Sequence, residues 1–147
     1  MIGGYPVAEL AIREAVRDTI TTYAVAGDRA RLDELAACFV PDGVLEVDGE
    51  WSATGRDEIV ARLSGNRERR PAAGQPGFFI RHFVTNIHFE AVSETEARVA
   101  SYFSVLTATG LDHWGRYRDL LVPHDGRWRF THRRVRIDAH SDRSWLG

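Results

Sequence analysis

The chain has 147 residues, 19 Lys and Arg against 21 Asp and Glu, and a formal charge of −2 at pH 7, with both signs spread along its length. That balance excludes a nucleic-acid surface, which needs a strong basic excess, and the length fits one domain, residues 1–147, around one substantial core. The single cysteine, Cys38, rules out an internal disulfide and a thiolate metal cluster. The opening "MIGGYPVAEL" has no basic region ahead of an apolar run, and nothing approaches about 18 consecutive apolar residues, so a cytoplasmic protein without membrane contact is expected.

From Val7 to Ala26 the apolar positions Ile12, Val16, Ile20, Tyr23 and Ala24 recur at three- and four-residue steps, the period of an amphipathic helix, and Gly27 is the expected stop. A second helix is predicted from Arg29 to about Val40, halted by Pro41-Asp42-Gly43, with Cys38 in its apolar pattern and so in the core. Asp28 lies between the two helices. It is either the N-cap of the second or a carboxylate with chemistry to do.

Two short strands, "VLEV" and "WSAT", flank Asp48-Gly49, and "GRDEIVARLSG" reads as a third helix with Ile59, Val60 and Leu63 inward. Residues 66–77, "NRERRPAAGQPG", form a charged, Pro- and Gly-rich loop. Four longer strands are predicted at 78–90, 96–108, 111–123 and 127–137, followed by an aperiodic tail. Helices first and consecutive antiparallel strands after them are the order of an α+β domain whose helices pack on one face of a curved sheet. Sheet and helices together enclose a cone, the place for a small ligand.

The stretch "FFIRHFVTNIHFE" carries the most informative residues. Strand alternation places His82, Val84, Asn86 and His88 on one face, and burying an unpartnered imidazole costs about 1–3 kcal/mol, so His82 needs a partner or a pocket. His82 and His88 are about 20 Å apart along a strand, too far to share a metal. "DAHSD" at 138–142 is better read as a solvated tail than as a cation site, and the basic run 127–136 as a strand with one solvated face. No nucleophile elbow, dinucleotide fingerprint or phosphate loop occurs. Acid–base chemistry at Asp28, His82 and Tyr23 is what remains, because a carboxylate bonded to an imidazole orients it and raises its basicity.

The segments "TYAVAGDRARLDELAACFVPDGVLEV", "RHFVTNIHFE" and "GRYRDLLVPHDGRWRFTHRRVRI" resemble the SnoaL-like branch of the nuclear transport factor 2-like superfamily, from about Val7 to Ile137. Within it they are similar to the Asp–His dyad group that includes scytalone dehydratase and bile acid 7α-dehydratase. The resemblance implies a cone-shaped α+β barrel with N-terminal helices on a strongly curved, mostly antiparallel sheet. It implies His82 as general base, Asp28 as its stabilising carboxylate and Tyr23 as donor to developing charge. Asn86, Tyr102, Thr107, Trp114 and Tyr117 are the expected substrate contacts, Thr107 standing where an ungapped reading puts the second catalytic histidine of scytalone dehydratase.

The implied protein is a cofactor-independent, metal-free lyase or isomerase, dehydratase- or cyclase-like, acting on an aromatic or polycyclic small molecule. It would work as a homodimer or higher homo-oligomer, with residues 66–77 and the tail after Ile137 as lids over the cavity mouth. The alternative is a non-catalytic ligand-binding or assembly module of the dioxygenase small-subunit kind.

Overall fold

Helix α1 (Val7–Asp28) buries Val16, Ile20, Tyr23 and Ala24 of the predicted stripe, with Ile12 partly buried, and it buries Thr19 and Ala26 as well. In the computed structural model, which describes residues 1–68 and 79–146, this helix runs through Gly27 rather than stopping there. Gly27 serves packing instead: a Cβ on it would sit 3.3 Å from Leu35 Cδ1. The chain leaves the helix at Ala30, whose φ of 58° is left-handed, and the Arg31 N–H donates to the Ala26 carbonyl at 2.9 Å.

That turn uses residues assigned above to the second helix, so α2 is only Leu32–Ala36. Cys38 already belongs to the sheet side of the core, its carbonyl accepting from the Phe130 N–H at 2.8 Å; it is fully buried, but not helical. Strand β1 (Phe39–Val47) starts before Pro41-Asp42-Gly43, which acts as a register shift within the strand and not as a break. Only glycine fits at 43, since a Cβ there would lie 2.9 Å from both the Phe130 carbonyl oxygen and Phe39 Cβ.

The remaining elements are β2 (Trp51–Thr54), α3 (Arg56–Glu68), β3 (Ile80–Val92), β4 (Ala97–Thr107), β5 (Gly110–His124) and β6 (Arg127–His140). They form one six-stranded sheet in the order β2-β1-β6-β5-β4-β3, antiparallel except for the parallel β1–β6 pair. The sheet is open, with β2 and β3 at its edges, so the expected α+β cone is present without closing into a barrel. Helix α1 packs on β3 and β6 while α3 packs on β1 and β2. This leaves a space between helices and sheet. No helix among the described residues is long and apolar enough to cross a membrane.

Candidate active site

The end of α1 and the start of β3 meet at Asp28 and His82, 54 residues apart in sequence. The Asp28 carboxylate accepts the His82 main-chain N–H at 3.0 and 3.1 Å, and its Oδ1 lies 2.6 Å from His82 Nδ1. The carboxylate is thus committed to the histidine. The capping alternative is excluded by Arg31, which holds the N-cap position of α2 with no side-chain cap bond. With Nδ1–H donating to the carboxylate, a neutral imidazole carries its lone pair on Nε2.

His82 lines a cavity of about 360 Å³, in the size range of small-molecule sites. Leu45, Val47, Ile80 and Val135 supply apolar wall, and Phe103 and Tyr117 stack with ring centroids 4.6 Å apart. Trp145 and Leu146 from the tail also line it, so that segment does border the cavity. Of the predicted loop 66–77, residues 66–68 continue α3 and the rest lies outside the described residues.

Tyr23 and Tyr117 reach the cavity from α1 and β5, held from behind by a buried ion pair. Arg133 makes a bidentate contact to Asp119 at 2.8 and 2.9 Å, and its guanidinium lies 3.7 Å from the Tyr117 ring centroid and 4.3 Å from that of Tyr23. Burial works against the charge on Arg133, yet Asp119 outweighs it and keeps the guanidinium protonated. Burial pushes both tyrosine phenols up, with Arg133 only partly opposing it, so each phenol keeps its proton as a hydrogen-bond donor.

A family model described as the SnoaL-like domain matches residues 8–134. The chain belongs to the SnoaL-like domain family. A Novosphingobium aromaticivorans structure provisionally described as a scytalone dehydratase is 29% identical, with 90% of this chain and 88% of that one covered and a TM-score of 0.74. A Catenulispora acidiphila structure in complex with S-DNPA is 27% identical, covering 88% and 95% at a TM-score of 0.74. Rv3472 of Mycobacterium tuberculosis, described as of unknown function, is 28% identical, covering 92% and 78% at a TM-score of 0.75. No curated protein matches the sequence.

In this SnoaL-like domain four of the expected substrate contacts lie off the cavity wall. The β3 pairing shifts between Thr85 and His88, with Asn86 in a left-handed conformation at φ 54°, so Asn86 is exposed and Ile87 and Phe89 take the inward positions in place of His88. Tyr102 stands between buried Ser101 and Phe103 and so points outward, 54% exposed. Thr107 bonds Thr109 at the β4–β5 turn, at 3.1 Å, and Trp114 is half-buried away from the cavity lining. Asp138 of the "DAHSD" run is paired with Arg116 at 3.0 Å.

Sequence reading missed Asp112 and His113. Both are buried, and His113 lines the cavity. His113 Nδ1 lies 2.8 Å from Asp112 Oδ2. Consecutive strand residues face opposite sides, so two buried neighbours in contact require an irregular strand, and "GLDHWG" carries no signal that announces one.

Proposed function

We propose that this SnoaL-like domain is a lyase or isomerase, dehydratase- or cyclase-like, that removes a proton from carbon beside a carbonyl or similar activating group. The observation that carries the reading is the Asp28–His82 contact in the wall of an otherwise largely apolar cavity. His82 Nε2 takes the proton, and Asp28 holds the ring and balances the imidazolium. Tyr23 donates to the oxygen where negative charge gathers, and the electron pair left on carbon either expels a leaving group or is reprotonated elsewhere. This chemistry needs no cofactor or metal.

The aromatic lining formed by Phe103, Tyr117, Trp51 and Trp145 suits an aromatic or polycyclic substrate. The Novosphingobium relative, provisionally described as a scytalone dehydratase, and the Catenulispora relative, described in complex with S-DNPA, support a small-molecule ligand. A homo-oligomer in the cytoplasm belongs to the same proposal; Phe83 and Tyr102, 52% and 54% exposed on the outer sheet face, favour pairing of subunits there.

The test needs no natural substrate. A base that removes the ring C–H proton of a nitrobenzisoxazole breaks its N–O bond and releases a coloured cyanonitrophenolate. The protein should accelerate this opening well beyond free imidazole at equal concentration, and a naphthol that fills the cavity should inhibit it. A rate no greater than that of free imidazole contradicts the proposal.

A further inference from the structure

We infer that Asp112 and His113 form a second acid–base pair of the same cavity, with His113 the catalytic residue that gives a proton to the leaving group and Asp112 its positioning residue. The inference rests on the proposed lyase reading and adds the acid to its base.

Three observations carry it. First, the strand is built to aim both side chains inward. Val105 of β4 pairs with His113 while Leu106 pairs with Leu111, which leaves Asp112 as the extra residue of a bulge. A bulge re-aims side chains and costs ladder hydrogen bonds, and such irregularities gather beside functional sites.

Second, the two histidines stand in one cross-strand row. His82 pairs with Val105 across β3–β4, and Val105 pairs with His113 across β4–β5. Two strand spacings put their backbones about 10 Å apart. Both side chains rise from the same face of the sheet into one cavity, so a single small molecule lying across Val105 can meet both rings.

Third, Asp112 is held as firmly as Asp28. Its Oδ2 accepts from Ser144 Oγ at 2.7 Å as well as lying 2.8 Å from His113 Nδ1, and its Oδ1 accepts the Trp145 N–H at 3.3 Å. Trp145 in turn packs edge-on against the His113 ring, with centroids 5.7 Å apart. The tail that lines the cavity is therefore fastened to the carboxylate beside the second histidine.

In the step, neutral His82 Nε2 takes the carbon-bound proton and the C–H electron pair becomes the new π bond. The bond to the leaving oxygen breaks with its own pair, and the Nε2 proton of cationic His113 passes to that oxygen. His82 is left protonated and His113 neutral; exchange with solvent after product release restores both.

A benzisoxazole series with leaving phenols of increasing pKa tests this. In His113→Gln the loss should grow along the series, from about 10-fold or less with the nitro compound to about 10²-fold or more with the unsubstituted one, because a poor leaving group needs the acid most. Asp112→Asn, which keeps shape and an acceptor, should show the same trend. His82→Gln should lose every member alike. A uniform loss in both His113→Gln and Asp112→Asn, or none, overturns the inference and leaves Asp112 as a latch for the tail. Should the unaltered protein open none of the series, the lyase reading falls and the acid role of His113 falls with it.

Discussion

Asp28 receives both the main-chain N–H and the ring Nδ1 of His82, so one carboxylate fixes the strand position and the ring orientation of the same residue. Nothing local enforces this, since the two lie 54 residues apart on α1 and β3. Asp28→Asn should therefore separate the two duties. The amide oxygen can still accept one N–H, but it cannot balance an imidazolium, so the benzisoxazole rate should fall about 10²-fold or more while the circular dichroism spectrum stays that of the parent. A rate equal to the parent's would show the carboxylate to be structural.

Tyr23→Phe removes a phenol whose proton is secured by burial. If the phenol meets developing charge, an activated ketone substrate should react about 10²–10³-fold more slowly, with binding little changed. Steady-state rates and equilibrium dialysis separate the two.

The same burial predicts a pH effect on stability. Tyr23 and Tyr117 have folded-state pKa values raised above the ordinary 10.0, so the unfolded chain loses these protons first. The folded state then holds more protons than the unfolded one, and stability falls as pH rises through and beyond 10.0. Urea midpoints at increasing alkaline pH should drop, and Tyr117→Phe should flatten the decline.

Arg133→Met should be among the most destabilising single changes. It strands Asp119, buried and facing the place of its lost partner, and removing one member of a buried pair costs about 3–5 kcal/mol. Arg133→Met with Asp119→Leu should recover part of that loss in chemical denaturation.

Much of this was legible in the sequence because it rests on patterns of period and composition. The α1 stripe, six strands and the helices-then-sheet order follow from apolar spacing and turn residues. His82 announced itself as a polar residue in a buried alternation, and Asp28 as an acid at a helix junction. What escaped depends on irregularity. Asn86 left the inner face because the β3 ladder slips between Thr85 and His88, and a one-residue slip exchanges the faces of everything after it. His113 reached the cavity wall, with Asp112 buried behind it, through the corresponding irregularity in β5. Arg133 read as part of a solvated basic strand, yet pairing with Asp119 and three aromatic rings makes its burial tolerable. That contact joins neighbouring strands, and no periodicity encodes it.

The most direct measurement of the central claim is the benzisoxazole rate of His82→Gln against the parent, both shown folded by their thermal transitions. The account predicts that the variant falls to the level of free imidazole at equal concentration, because the ring held by Asp28 has gone. A variant that opens the ring as fast as the parent would contradict it.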